Sequence, residues 1–331
     1  MNYFSKKEII ELLEKDSENL FLEADKIRHE TVGDEVHLRG LIEFSNFCKR
    51  NCAYCGLQNA NKKIQRYRLN EDEIIETAKK GSVLGYKTVV LQSGEDGYFN
   101  TKRLIKIIEE IKKFDLAITL SIGERTKEEY KAFKSAGADR FLMRIETTDE
   151  NLYKKLHHKM DFKNRIKCLY NLKEMGYETG TGSLVGLPFQ SIESLADDIL
   201  FYKKLDADMV GIGPFIPHPD TPLRGKLNKK NFDYALKMMA ITRILMPDIN
   251  IPATTAMETI NPMGRIIALN SGANVVMPNI TESIYRKKYE IYPGKICVDD
   301  EPDKCRKCIE AKINSIGRTV SNTKGFRKNK K

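Results

Sequence analysis

The stretch EVHLRGLIEFSNFCKRNCAYCG, residues 35–56, joins an apolar segment to a cluster of thiols. Residues 35–45 predict a β-strand, because apolar and β-branched side chains recur along them. Cys48, Cys52 and Cys55 follow directly with the spacing C-x3-C-x2-C. The sequence therefore predicts a metal or cluster site immediately after the first strand.

Short apolar segments of this kind alternate with charged segments in which apolar residues recur with a helical period. Seven further predicted strands cover residues 87–94, 116–123, 140–147, 178–186, 208–216, 250–257 and 273–280. The predicted helices between them cover residues 71–84, 101–113, 126–136, 161–175, 191–205 and 231–246. Strands and helices in this alternation predict the α/β class and a parallel (β/α)8 TIM-type barrel, with an open doubly wound sheet as the alternative.

The chain divides into three predicted regions. Residues 1–34 are expected to form an N-terminal helical extension, in which Ser5 and Glu8 have the spacing of a capping box. Residues 35–290 are expected to form the barrel. Residues 291–331 are expected to form a C-terminal segment with a second group of cysteines and a basic tail that frays from about Ser321 onward.

The composition indicates a cytoplasmic enzyme. The 331 residues are 41% hydrophobic, which is enough for a large core, and no apolar run is long enough to span a membrane or to serve as a signal peptide. The formal net charge is +10, but the basic residues are dispersed, so we expect no nucleic-acid partner. The seven cysteines fall into groups of three, one and three, which favours metal or redox chemistry over disulfides.

Three closely spaced thiolates suit several kinds of site. Structural zinc takes four protein ligands, whereas catalytic zinc takes three and keeps one position open. A [4Fe–4S] cluster held by three cysteines keeps one iron open for a substrate. The nearest histidines are His29 and His37, so a zinc site has no obvious further ligand nearby in sequence. Polar residues follow the other predicted strands as well, and active sites of barrels lie at these strand ends, which favours the open cluster.

The motif, with an aromatic residue before its last cysteine, resembles the radical S-adenosylmethionine (SAM) superfamily. Longer segments, including YKTVVLQSGED, GADRFLMRIETT and DMVGIGPFIPHPDTPL, resemble the HydE family of [FeFe]-hydrogenase maturases within it. Biotin synthase and methylornithine synthase are related groups. The resemblance extends from about residue 30 to residue 310, although position 145 is Ile where some maturases have His.

The resemblance implies cofactors and site residues. Cys48, Cys52 and Cys55 would be catalytic, holding a [4Fe–4S] cluster whose open iron binds SAM and cleaves it reductively to a 5′-deoxyadenosyl radical. The residues that would contact SAM are Tyr54, Gln92, Ser93, Gly94, Glu95, Glu146 and Arg165. The residues that would line the substrate cavity are Thr119, Ser121, Arg140, Met209, Thr254, Thr255 and Tyr289.

The resemblance also implies a function in assembling the diiron part of the hydrogenase active-site cofactor. The substrate would be a small cysteine-bound iron carbonyl–cyanide unit, and the partners would be other hydrogenase maturation proteins and an electron donor. An amino-acid mutase like methylornithine synthase is one alternative. A metal-stabilised binding module without enzymatic activity is another.

A second group of cysteines, Cys297, Cys305 and Cys308, has the spacing C-x7-C-x2-C. The resemblance implies an auxiliary [2Fe–2S] or [4Fe–4S] cluster there, near the surface, while a zinc clip or free thiols are the alternatives. Cys168 lies within a predicted helix and is expected to be a buried thiol. His157 and His158 are expected to face solvent.

Overall fold

A computed structural model describes residues 4–15 and 18–328. The helices in these ranges are α1 (Lys6–Glu14), α2 (Glu18–Val32), α3 (Glu71–Val83), α4 (Thr101–Lys112), α5 (Lys127–Ala136), α6 (Glu150–Leu156), α7 (Phe162–Glu174), α8 (Ile192–Lys204), α9 (Asn231–Leu245), α10 (Thr255–Ile260), α11 (Gly264–Leu269), α12 (Ser283–Arg286) and α13 (Pro302–Asn314). The strands are β1 (Glu35–Ser45), β2 (Asn51–Cys52), β3 (Thr88–Ser93), β4 (Ala117–Ser121), β5 (Arg140–Leu142), β6 (His157–His158), β7 (Glu178–Thr181), β8 (Leu184–Val185), β9 (Met209–Val210), β10 (Gly213–Pro214), β11 (Val275–Val276) and β12 (Thr319–Val320). None of the described helices is long and apolar enough to cross a membrane.

The main sheet is parallel and curled. Its strands follow the order β11-β1-β3-β4-β5-β7-β9, with Val90 of β3 opposite Thr119 of β4 near its centre. Helices connect successive strands of this order and cover the outside of the sheet. The predicted α/β class and TIM-type architecture are confirmed.

The helices around the sheet bury apolar side chains, and α4 illustrates how the sequence specifies a single buried face. The Asn100 side chain accepts a hydrogen bond from the Arg103 backbone and so begins the helix. The buried residues of α4 are spaced by three or four positions, as one helix face requires: Leu104, Ile107, Ile108 and Ile111. At the start of the chain, the predicted capping box of Ser5 and Glu8 is confirmed, and α2 packs against α9.

Segment 250–253 lies where the predicted strand 250–257 was expected, between β9 and β11. Isolated parallel bridges join Asn250 to Met209 and Pro252 to Val275. A regular ladder does not form, because Pro252 has no backbone N–H to donate and α10 already begins at Thr255. The two edges of the curled sheet are therefore linked by single bridges.

Three other predicted strands are interrupted before their carboxyl ends, and the predicted strand 208–216 is one of them, since it is divided into β9 and β10. The predicted strand 140–147 ends at Leu142, and Glu146 has a left-handed backbone with φ of 66°. The predicted strand 178–186 is divided at Gly182, where φ is 151° and a Cβ atom would lie 2.0 Å from the Gly211 carbonyl oxygen. Glu146 and Gly182 each turn the backbone in a way that a continuous strand does not allow.

Residues 319–328, here termed the strap, cross the amino-terminal end of the sheet. Strand β12 pairs in parallel with the start of β1, with Thr319 opposite Glu35. The carbonyl oxygens of Lys324 and Gly325 accept hydrogen bonds from side chains of the barrel, namely Thr88, Arg140, Arg39 and Asn250. The predicted fraying from Ser321 is therefore wrong for residues 321–328, because barrel side chains bind the strap backbone.

Arg327 anchors the end of the strap through three carboxylates. Its guanidinium lies 2.9 Å from Asp248, 2.7 Å from Asp206 and 3.3 Å from Asp208. The Asp208 side chain is fully buried and also pairs with Lys173. Partly buried ion pairs therefore hold the end of the strap against the barrel.

We expect Arg327→Ala to lower the free energy of unfolding by about 2–4 kcal/mol, because buried carboxylates lose a cation that compensates them. Chemical denaturation measures this loss. Lys324→Ala is the matched control in the same strap, since its amine pairs with the exposed Asp115 and its loss should change stability little. Equal destabilisation by the two variants would contradict the assigned role of Arg327.

Candidate active site

A cavity of about 360 Å³ opens at the carboxyl-terminal ends of the strands. Many of the residues predicted for the site line it: Cys48, Cys52, Tyr54, Cys55, Gln92, Ser93, Gly94, Glu95, Ser121, Glu146, Arg165, Thr254, Thr255 and Tyr289. The structure thus brings together the first cysteine group, the residues expected to contact SAM and part of the expected substrate set.

The first thiol is positioned by the loop that follows β3. Cys48 Sγ accepts hydrogen bonds from the backbone N–H groups of Arg50, at 3.5 Å, and Glu95, at 3.4 Å. A Cβ atom at Gly94 would lie 2.3 Å from the Phe47 carbonyl oxygen and 2.7 Å from Cys48 Cβ. Only glycine therefore allows the two loops to approach this closely.

The three thiols share an environment that favours their protonated form. Burial raises the pKa of Cys48, Cys52 and Cys55, to about 12 for Cys55. The neighbouring cysteines raise the pKa of Cys52 and Cys55 further, so the sulfur atoms are close enough to repel one another as thiolates. A cationic group that coordinates thiols removes their protons and reverses this repulsion. The donor set therefore fits a thiolate-bound group such as an iron–sulfur cluster.

A short antiparallel pair, β2 with β6, lies beside the first cysteine group. It sets Cys52 opposite His157, and the Tyr54 hydroxyl lies 3.1 Å from His157 Nε2. Burial lowers the pKa of His157 to about 3, which keeps its ring neutral. The expectation that His157 faces solvent is wrong, because this pairing buries it, whereas His158 is exposed.

A chain of ion pairs fixes two residues expected to contact SAM. Arg50 Nε lies 2.6 Å from Glu95 Oε2, and Arg50 Nη2 lies 3.3 Å from Glu124 Oε2. Glu124 Oε1 in turn lies 2.9 Å from Arg165 Nε. Both carboxylates are buried and compensated by arginine, so Glu95 and Arg165 are held in place.

Glu146 presents a carboxylate to the cavity. Its Oε1 atom lies 3.0 Å from Arg144 Nε, while the buried Oε2 atom has no hydrogen-bond partner among the described residues. The Glu146 backbone forms an isolated bridge with Ser183. One acceptor oxygen is therefore available to a ligand that donates a hydrogen bond.

The residues expected to line the substrate cavity lie in three places: the cavity itself, a smaller space further into the barrel, and the amino-terminal end of the barrel. Ser121, Thr254, Thr255 and Tyr289 line the cavity itself. Thr119 and Met209 line a smaller space further into the barrel, beside Arg39.

Arg140 does not line the cavity. It is the first residue of β5, is fully buried, and forms an ion pair with Glu178. Its guanidinium also donates to the Lys324 carbonyl oxygen, at 2.8 Å, and lies 4.3 Å from the Phe326 ring centroid. The structure thus places Arg140 at the amino-terminal end of the barrel, where it binds the strap.

A buried ion pair that was not predicted from the sequence lies in the cavity wall. Glu43 pairs with Lys295, and its other carboxylate oxygen accepts a hydrogen bond from Asn279 at 2.6 Å. Glu43 and Lys295 both line the cavity. The available signal was the place of Glu43 near the carboxyl end of β1, at a position that alternation with Leu41 directs inward.

The second cysteine group is only partly assembled. The Cys297 and Cys305 thiols interact, which lowers the pKa of Cys297 and raises that of Cys305. Cys308 is exposed, and Cys168, outside both groups, is a buried thiol as expected. Within residues 4–15 and 18–328, no three His, Cys, Asp or Glu side chains form a site for a single metal ion.

Comparisons with known proteins extend these observations. Residues 42–202 match the family described as the Radical SAM superfamily. The chain is 54% identical to the [FeFe] hydrogenase maturase subunit HydE of Thermotoga maritima, over 94% of this chain and 89% of that protein. It is 35% identical to the 3-methylornithine synthase of Methanosarcina acetivorans, over 80% of this chain and 75% of that protein.

A solved structure has the same architecture. The crystal structure of methylornithine synthase (PylB) superposes with a TM-score of 0.84 at 28% identity, and the match covers 97% of this chain and 95% of that chain. Sequence and fold agree over nearly the whole length, and the chain belongs to the radical SAM superfamily and, within it, to the family of the HydE maturases.

Proposed function

We propose that this protein acts in [FeFe]-hydrogenase maturation, as a radical SAM enzyme that converts a precursor of the diiron part of the active-site cofactor. The observation that carries the proposal is the convergence of three thiols and the free carboxylate oxygen of Glu146 on one cavity. The 54% identity to a HydE maturase supports the specific pathway.

Cys48, Cys52 and Cys55 would hold the [4Fe–4S] cluster. A reduced cluster of this kind, when bound, supplies the electron that cleaves SAM to methionine and a 5′-deoxyadenosyl radical. The protein's part is to bind SAM in one orientation and to keep water away from the reacting atoms. The strap at the far end of the barrel and the β2–β6 pair beside the thiols support such exclusion.

The SAM molecule would lie between the first cysteine group and Glu146. Glu146 Oε2 is an unused acceptor for amino or hydroxyl donors of SAM. Arg165 and Glu95, which the ion-pair chain fixes, line the same space. Tyr54, Gln92, Ser93 and Gly94 complete the proposed contacts.

The substrate would be a small cysteine-bound iron carbonyl–cyanide unit on the inner side of the cavity. Thr254 Oγ1 is buried without a hydrogen-bond partner among the described residues and is suited to donate to carbonyl or cyanide ligands. Tyr289 and Lys295 line the cavity with it. The proposed partners are other maturation proteins, which supply and accept the iron unit, and an electron donor.

Cys297, Cys305 and Cys308 would bind an auxiliary iron–sulfur cluster. The interaction between the Cys297 and Cys305 thiols, which shifts the pKa of both, supports this proposal, since it indicates that two of the three ligands are neighbours. Because Cys308 is exposed, the auxiliary site would lie near the surface, apart from SAM cleavage.

Cys52→Ala should abolish the formation of 5′-deoxyadenosine, because two thiolates cannot hold the cluster in place of three. The measurement is product analysis after anaerobic reconstitution with iron and sulfide, reduction with dithionite and addition of SAM. Cys168→Ala is the matched control, since it removes a buried thiol that lies outside both groups. Undiminished product from Cys52→Ala, or no product from the wild type, would refute the proposed function.

Replacing Cys297, Cys305 and Cys308 together by Ala should leave SAM cleavage within about twofold of the wild type while lowering the iron content, because none of these three cysteines lines the cavity. Iron analysis and 5′-deoxyadenosine measurements on the same sample test both parts. Loss of SAM cleavage in a folded, reconstituted variant would contradict the peripheral role.

An amino-acid mutase is the second candidate, favoured by the 35% identity to 3-methylornithine synthase and by the fold of PylB. Incubation of the reconstituted enzyme with lysine and SAM separates the two functions. Turnover of lysine would support the mutase. Turnover of the cysteine-bound iron unit, with lysine unchanged, would support maturation.

A further inference from the structure

Helix α8 carries polar residues on its inner face, where packing alone would favour apolar side chains. Ser194, Asp198 and Tyr202 are spaced by four residues and therefore lie on one side of the helix. They are 5%, 0% and 0% exposed, respectively. Three polar groups at such positions each need a partner within the protein.

Their partners flank Glu146. Asp198 Oδ1 accepts hydrogen bonds from the backbone N–H of Thr148, at 2.6 Å, and from its hydroxyl, at 2.7 Å. Ser194 Oγ lies 3.3 Å from Thr147 Oγ1. Two side chains of α8 thus hold the two residues that follow Glu146.

The other side of Glu146 is held by the same helix. The Tyr202 hydroxyl donates to Ser183 Oγ at 2.6 Å, and Ser183 forms the isolated bridge with the Glu146 backbone. Helix α8 therefore contacts both the segment after Glu146 and the segment that pairs with it.

The Glu146 backbone needs such support. Its φ of 66° is in the left-handed region, which is unfavourable for a residue with a side chain. A conformation of this kind persists only where surrounding contacts fix it. The contacts made by α8 are of this kind, and they leave Glu146 Oε2 directed to the cavity without a partner.

Burying the Asp198 carboxyl group is unfavourable for folding, which indicates that this residue has a role other than packing. Burial raises its pKa to about 7, although the hydroxyls of Thr148 and Ser183 oppose this rise. A buried carboxyl group without a cation destabilises the fold compared with an apolar residue of similar size. Departures from packing rules of this kind concentrate at functional sites.

We propose that the inner face of α8, through Asp198 and Tyr202, positions Glu146 for binding SAM. Asp198 and Tyr202 are positioning residues, since they contact the segments that carry or pair with Glu146 and not the ligand. The inference rests on the proposed function only in taking SAM as the ligand of Glu146.

The test is the dissociation constant of SAM, measured by equilibrium dialysis on the anaerobically reconstituted protein. Asp198→Ala should raise this constant about tenfold, which corresponds to about 1.4 kcal/mol. Asp198→Asn retains an oxygen that accepts from Thr148 and should bind SAM within about twofold of the wild type. Tyr202→Phe removes only the hydroxyl that binds Ser183 and should weaken binding about threefold.

Asp197→Ala is the matched control. It removes the neighbouring carboxylate on the same helix, but the Asp197 side chain is half exposed and pairs with Lys6 at 2.7 Å. The dissociation constant of SAM should not change. Thermal unfolding of each variant identifies any that is destabilised as a whole.

Combination with Glu146→Gln separates positioning from a general loss of structure. If Asp198 acts through Glu146, Asp198→Ala should weaken SAM binding by less than about twofold in the Glu146→Gln background. The inference is wrong if the double variant raises the dissociation constant of SAM by the product of the two single factors, or if Asp198→Ala binds SAM with wild-type affinity. In either case the proposed function still stands. Failure of the wild type to bind SAM would overturn the proposed function together with the inference.

Discussion

The close approach of the Gly94 backbone to Cys48 is the constraint on which the site depends. Strands β1 and β3 pair in parallel as far as Ser45 and Ser93, so the loops that follow leave the sheet side by side. Without a side chain at Gly94, the Glu95 N–H group reaches Cys48 Sγ. Glu95 then pairs with Arg50 within the cysteine loop. These contacts position the cysteine loop relative to the barrel.

Features that depend on neighbours along the chain could be predicted from the amino-acid sequence. The helical period of α4 and the position of the cysteines after β1 are local signals, and both are confirmed. The burial of His157 could not be predicted in this way, because it depends on pairing with Cys52, a residue far away in sequence. The same holds for the strap, whose polar and basic residues find buried carboxylates only in the folded barrel.

For Arg140, its position in the strand was a better guide to its location than the family resemblance. It begins β5, and the start of a strand in a parallel barrel lies at the end opposite the active site. Its place in the strand was therefore a sufficient reason to expect it away from the cavity. Glu43 is the converse case, since its inward position on β1 was predictable, whereas its partner Lys295 lies far along the chain.

The strap also fixes the order in which the barrel can be completed. During synthesis, residues 319–328 leave the ribosome after every strand of the main sheet, yet β12 pairs with β1, the first of those strands. Contacts between residues so distant in sequence form slowly, because a long loop must close first. Until then, Arg39 and Arg140 lack the carbonyl oxygens of Gly325 and Lys324. The amino-terminal end of the barrel therefore acquires these contacts only when the strap binds, as a late step of folding.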